Sequence, residues 1–181
     1  MYTSETYQYP PFTIRSAVMS DLDQIIGIWK QGLPEQATSI SGSQQTLNEN
    51  EVTAFFSERI QQQQLEFVLW VCLSPSNQIV AWQAITPFYN SPLPLVRGEF
   101  AQSSTYVHRD HHRKGIGKCL LQHAIQFCQQ KTKLHYIVGL VLHSNQKSIV
   151  MCEKLGFYTM GHLPAHKINQ SAKWCLLVYE L

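Results

Sequence analysis

The stretch YVHRDHHRKGIGKCLL, Tyr106 to Leu121, decides how this chain is read. A segment read as a strand, Phe100 to His108, runs into it. A short polar loop follows, then Gly115-Ile116-Gly117. A helix then runs from about Gly115 to Lys131, with Leu120, Leu121, Ala124, Ile125 and Cys128 on one face. A strand–loop–helix junction of this kind presents successive backbone N–H groups at the positive end of the helix dipole, which suits a phosphate or pyrophosphate. Glycine at 115 and 117 lets such a ligand approach the backbone closely. Arg109, Arg113, Lys114 and Lys118 surround the loop, and Asp110 is the only acid among residues 100–152. For G-x-G alone, a glycine turn with solvated basic residues is the plainer alternative.

The charge pattern supports an anionic partner for this half of the chain. The 181 residues carry 14 Lys plus Arg and 12 Asp plus Glu, a net charge of only +2. Residues 1–99 hold four basic and nine acidic groups, while residues 100–181 hold ten basic and three acidic. All eight histidines lie from His108 onward. The asymmetry points to an anion in the second half. A net charge of +2 argues against a dedicated nucleic-acid binder. Hydrophobic residues make up 44%, enough to build a core and to argue against a disordered chain.

Two nucleotide-loop patterns fail on spacing. The dinucleotide fingerprint G-x-G-x-x-G needs glycine at 120, where Leu stands. The P-loop needs glycine at 112 and Ser or Thr after Lys118, where His112 and Cys119 stand.

A third pattern fits. Residues 106–118 resemble the acetyl-CoA loop of the GNAT superfamily of N-acetyltransferases, [Q/R]-x-x-G-x-[G/A] after a strand. Gly115 and Gly117 match, and His112 takes the Gln/Arg position, with Arg113 beside it as a cation. About thirty residues on, Asn145, Ser148 and Glu153-Lys154-Leu155-Gly156-Phe157 resemble the superfamily's second signature. The opening Ile14-Arg15-Ser16-Ala17 with Asp21 extends the resemblance over about residues 12–181. Ser104-Thr105-Tyr106-Val107-His108, Ser148-Ile149, Gly161-His162-Leu163, Lys167 and Trp174 are similar to the phosphinothricin and methionine-sulfoximine acetyltransferase-like subgroup.

The resemblance implies a single α/β GNAT domain over 12–181, after a tail at 1–11. It implies a mixed, mostly antiparallel sheet flanked by helices, with splayed central strands. The cofactor it implies is acetyl-CoA. Backbone groups of Tyr106, Val107 and His108 would pair with the pantetheine, and amides from Arg113 through Lys114, Gly115, Ile116 and Gly117 to Lys118 would hold the pyrophosphate. Asn145 and Ser148 would support the pantetheine. The Val107 amide would polarise the thioester carbonyl. The expected activity is direct transfer of the acetyl group to a primary amine of a small amino-acid-like molecule. A peptide or protein amine, and a non-catalytic acyl-CoA sensor, are the alternatives. The subgroup also implies a homodimer.

Two positions depart from the subgroup. Its usual Glu before the S-x-Y-V strand end is Gln102 here, and a Gln cannot accept the proton. The place of a thiolate-protonating Tyr or His is taken by Cys152, which is either an acid or a buried structural thiol. His143 is a candidate base. Phe88 and Tyr89 are candidates to line the acceptor pocket. The adjacent His108, His111 and His112 lack a partner set with zinc-like spacing, so no metal is expected.

The rest of the sequence supplies ordinary elements. Phe12 to Ala17 reads as a strand. Leu22, Ile25, Ile26 and Trp29 repeat at helical spacing after Asp21. A polar linker covers 34–45, and a helix from Leu47 to Gln64 places Val52, Phe55, Phe56 and Ile60 on its buried side. Phe67 to Leu73 and Ile79 to Ile85 flank turn residues Pro75-Ser76-Asn77 as a hairpin. Residues 86–98 read as a loop. Leu134 to Leu142 is a buried strand, Gln146 to Leu155 a helix stopped by Gly156, and Phe157 to Leu163 and Trp174 to Leu181 are closing strands. The longest apolar run, Phe67 to Leu73, is far short of the roughly 20 residues that span a bilayer. Met1 to Phe12 shows no secretory signal pattern. Five widely spaced cysteines without C-x-x-C read as free thiols of a cytoplasmic protein.

Overall fold

The computed structural model describes residues 6–33, 48–63, 67–88, 99–163 and 173–181. The expected linker at 34–45, most of the loop at 86–98 with Tyr89, and Lys167 lie outside them. In chain order the elements are β1 (Thr6–Tyr9), β2 (Phe12–Ser16), α1 (Leu22–Gln31), α2 (Glu49–Gln61), β3 (Val68–Leu73) and β4 (Ile79–Pro87). They continue with β5 (Phe100–Val107), α3 (Ile116–Lys131), β6 (Tyr136–Leu142), α4 (Gln146–Lys154), β7 (Tyr158–Leu163) and β8 (Trp174–Glu180). The strands hydrogen-bond in the order β1-β2-β3-β4-β5-β6-β8-β7. The β5·β6 pair is parallel, while β1·β2, β2·β3, β6·β8 and β7·β8 are antiparallel. This is the mixed, mostly antiparallel α/β sheet that the sequence predicts.

The chain divides into two compact units. The first takes Met1–Gln64, Val68–Gln83 and Thr105–Leu120; the second takes Leu65–Phe67, Ala84–Ser104 and Leu121–Leu181.

In the first unit, Thr6–Tyr9 is extended, as a tail would be, but it is paired: it runs antiparallel to β2 from Thr6↔Arg15 to Tyr9↔Phe12. All six residues of β3 are buried, which is what its unbroken apolar run demands. Asn77 takes the left-handed conformation in the β3–β4 turn, with φ 61°. Ile25 and Ile28 of α1 are buried, as are Val52, Phe56 and Ile60 of α2. Phe55 is not: it is 47% exposed, correcting its place on the buried side. Phe55 stands about 100° round the helix from the buried Phe56, at the edge of the inward stripe and open to solvent. The outer ring is covered by Arg59, whose guanidinium lies 3.2 Å from its centroid.

In the second unit, β6 is paired on both sides. Seven pairs join it to β8, and four pairs, Phe100↔Tyr136 to Ser103↔Gly139, join it to β5. That parallel ladder stops before the end of either strand, since β5 runs on to Val107 and β6 to Leu142. Gly156 ends α4 with φ +99°, and a Cβ there would lie 3.2 Å from Cε2 of Tyr179. Gly156→Ala combines backbone strain with this contact. It is expected to cost about 1–2 kcal/mol, read as a lower urea midpoint at unchanged slope.

Candidate functional site

The end of β5 and the loop after it belong to the first unit. The His108 amide donates to the Val80 carbonyl on β4 at 2.8 Å. Backbone groups of successive residues point to opposite sides along an extended strand, so the Val107 N–H and C=O point away from β4. The Val107 carbonyl accepts from Nε2 of His112 at 2.9 Å, which places the proton of that ring on Nε2. His112, at the motif's Gln/Arg position, therefore ties the loop back to the strand end. The His108 ring caps the short turn Arg109–His111, its Nδ1 accepting from the Asp110 amide at 3.3 Å. His111 has its pKa lowered by burial first and by Lys114 and His108 next.

The loop then turns through two left-handed residues, Arg113 at φ 64° and Gly115 at φ 78°. A Cβ on Gly115 would meet nothing within 4 Å, so the space above the turn is open. The Gly115 carbonyl accepts the Cys119 amide at 3.0 Å and so starts α3. The amides of Ile116, Gly117 and Lys118 consequently have no intrahelical acceptor. They stand at the head of a 16-residue helix with no acid in its first turn. Arg113, Lys114 and Lys118 are exposed and form no ion pair with a carboxylate among the described residues. Open space, unsatisfied amides, a helix dipole and uncommitted cations fit a phosphate-bearing group.

Tyr106 points its ring to the opposite task. The ring stacks on Trp82 at 4.6 Å, and Trp82 packs edge-on against Phe56 at 5.7 Å. The Trp82 indole donates to the Ile25 carbonyl at 3.1 Å. Burial raises the Tyr106 pKa, and a hydrogen bond with Trp29 partly offsets this. Thr105 donates through its hydroxyl to the buried Gln83.

Asn145 and Ser148 lie in the second unit. Asn145 caps α4, its side-chain oxygen accepting the Ser148 amide at 3.3 Å. Gln102 sits in the β5·β6 ladder opposite Val138. Cys152 is buried in α4, and burial, then Cys175 and Glu153, push its thiol up to about 11. It is protonated at neutral pH. His143 is exposed after β6, its ring edge-on to His162 at 5.1 Å. The Phe88 ring lies 6.4 Å from Phe100, which stacks on Tyr136 at 4.8 Å. No cluster of three His, Cys, Asp or Glu able to hold a metal occurs among the described residues. A groove of about 260 Å³ between α1 and α2, edged by the Lys30–Glu49 ion pair at 2.7 Å, contains none of the expected site residues.

Sequence reasoning missed what holds the strand end from α1. The side chain of Gln31 accepts the Arg109 amide at 3.0 Å, and Gly32 lies against the Tyr106 ring. In sequence, a Gln followed by Gly reads only as the end of a helix.

A mixed α/β sheet carrying a basic glycine loop between a strand end and a long helix defines a class of fold suited to a phosphate-bearing cofactor. The model of the acetyltransferase (GNAT) family matches residues 37–157, and the chain belongs to that family. Solved structures share the fold. An N-acetyltransferase from Staphylococcus aureus Mu50 is 22% identical with a TM-score of 0.74, over 93% of this chain and 98% of that one. A phosphinothricin acetyltransferase from Sinorhizobium meliloti, in complex with AcCoA, is 20% identical with a TM-score of 0.74, over 94% and 88%. A ribosomal-protein-alanine N-acetyltransferase from Brucella melitensis is 22% identical with a TM-score of 0.70, over 93% and 99%. No curated protein matches the chain.

Proposed function

We propose that this acetyltransferase moves an acetyl group from acetyl-CoA directly to a primary amine of a small amino-acid-like molecule. One observation carries the cofactor assignment: the left-handed turn at Arg113 and Gly115 that offers three free amides and three cations at the head of α3. Acetyl-CoA supplies the activated acetyl thioester. Arg113, Lys114, Gly115, Ile116, Gly117 and Lys118 hold its pyrophosphate. The Val107 amide, turned away from β4, donates to the developing oxyanion. Tyr106 serves through its ring, which fixes the strand that carries Val107. His108 serves by capping the turn into the loop. Asn145 and Ser148 take the pantetheine role that the family resemblance implies.

The acceptor amine must lose a proton and the departing thiolate must gain one. Cys152 holds a proton at neutral pH and could return one. Gln102 cannot act as base, and water or His143 takes that part in this reading. Cys152→Ala is expected to lower kcat by less than threefold if the thiol is a packing group. A drop of the hundredfold or more typical of a lost general acid assigns it the proton instead. Gln102→Glu is expected to raise the rate on an amino-acid-like acceptor across pH 6 to 9. No gain anywhere in that range removes position 102 from the chemistry.

The deciding experiment is an acetyl-transfer screen against amino acids, polyamines and short peptides, read by mass spectrometry. Acetylated amino acids support the proposal, and acetylated peptides alone redirect it to a protein amine. Tight acetyl-CoA binding with no acetylated amine sinks the enzyme reading in favour of a sensor. Five free cysteines support a cytoplasmic location. The last strand in the sheet order, β7, exposes Tyr158 and Met160, each 66% accessible, which supports a homodimer. Light scattering on the eluted protein measures that mass.

A further inference from the structure

We propose that Gln31 and Gly32, the last residue of α1 and the residue after it, position the end of β5 for acetyl-CoA; this rests on the cofactor reading above. Both contacts lie within the first unit. Oε1 of Gln31 accepts the Arg109 amide at 3.0 Å, across 78 residues of sequence. That amide opens the short turn Arg109–His111, two residues past the end of β5, and with it the segment leading to the phosphate loop. Gly32 has φ −85°, a conformation any residue adopts, so its backbone does not require glycine. Its neighbour does. A Cβ at Gly32 would lie 2.7 Å from both Cδ1 and Cε1 of Tyr106.

The Tyr106 ring has little freedom to yield. Trp82 stacks on one side of it at 4.6 Å, and Trp29 is hydrogen-bonded to it. Trp82 is itself held by its bond to the Ile25 carbonyl in α1. The four residues Tyr106 to Arg109 are thus pinned at both ends from α1, by Gly32 and Gln31. Between them, Val80 holds the His108 amide and His112 holds the Val107 carbonyl. The Val107 amide, which the mechanism uses, sits in the middle of this pinned segment. Gln31 is an acceptor with reach and without charge, so it fixes the backbone without placing an anion beside an anion site.

Losing one of these pins lowers the population of the binding-competent strand end, and apparent affinity falls by the same factor. The test is calorimetric titration with acetyl-CoA, together with amide hydrogen exchange of the apo protein. Gln31→Met, which keeps length and removes the acceptor, is expected to weaken binding by about 3- to 10-fold. Exchange should quicken over residues 106–112 and not elsewhere. Gln31→Glu restores the acceptor, and in 0.5 M salt, where its charge is screened, it is expected to bind within about twofold of the parent. Gly32→Ala is expected to weaken binding by about tenfold or more. Gln24→Met, on the exposed side of the same helix, serves as the control. If the parent binds acetyl-CoA and Gln31→Met binds equally well, the positioning role is overturned alone. Gln31→Glu as weak as Gln31→Met in high salt overturns it too, since the acceptor oxygen is then not the agent. A parent that binds no acetyl-CoA overturns the cofactor reading and this one with it.

Discussion

Gly117→Glu is expected to lose at least about a hundredfold in acetyl-CoA affinity while the protein melts no lower than its parent. The two halves of that expectation come from the same position. Gly117 is the second residue of α3, a helix with no acid in its first turn. A carboxylate there is favourable to the helix dipole by about 0.3–1 kcal/mol, and replacing a helical glycine adds about as much again. Fold stability is therefore kept or raised. The ligand meets the opposite effect. The side chain brings a negative charge among amides that would hold phosphates. Two unit charges about 5 Å apart at an effective dielectric near 20 repel by about 3 kcal/mol, which is about a hundredfold in binding. Raising the salt should recover part of the loss. Calorimetry with acetyl-CoA and a thermal melt on the same sample separate the two readings. An unchanged affinity would put the phosphates somewhere other than this loop.

What could be read in the sequence is what is local in the sequence. The loop carries its glycines, its cations and the start of its following helix within the sixteen consecutive residues Tyr106–Leu121, so a contiguous reading finds it. Strand β3 announces itself by an unbroken apolar run, and α1 by its spacing. Contacts made across long separations left no such trace. Gln31 and Arg109 meet 78 residues apart, and nothing near either residue marks the other. Thr6–Tyr9 alternates tyrosine with Thr and Gln, but over only four residues, and the two prolines after it read as a break in structure. Its strand character comes from pairing with β2. Phe55 was misplaced because periodicity cannot choose between adjacent aromatic residues; Arg59, one turn on, settles it. His112 departs from the motif by identity, yet its ring nitrogen bonds the strand-end carbonyl, a link that a motif comparison cannot reveal.

The opening Ile14-Arg15-Ser16-Ala17 with Asp21 was legible only as a resemblance, and the structure supplies its physical content. Asp21 is 4% exposed and accepts three hydrogen bonds. Its Oδ2 takes Nη1 of Arg15 at 2.6 Å and the Val18 amide at 2.9 Å, and its Oδ1 takes Nη2 of Arg15 at 2.9 Å. Arg15 is held charged by these bonds to Asp21. Every contact to the carboxylate is a donor, so Asn cannot replace it: whichever way the amide turns, its NH2 faces a donor. Asp21→Asn thus breaks a hydrogen bond and also leaves the Arg15 charge without its counter-ion. Breaking a buried pair by removing one partner costs about 3–5 kcal/mol, and the Arg15 side chain, 28% accessible, moderates this toward the lower figure. About 3 kcal/mol should lower the melting temperature by roughly 6–12 °C in a protein of this size. Arg15→Lys should recover little, because an ammonium cannot span both carboxylate oxygens as the guanidinium fork does. Replacing both partners, as Arg15→Met with Asp21→Leu, should be less damaging than Asp21→Asn alone, since no charge is then stranded. A double variant less stable than the single one would show that the Val18 amide, not the Arg15 charge, is what the carboxylate chiefly serves.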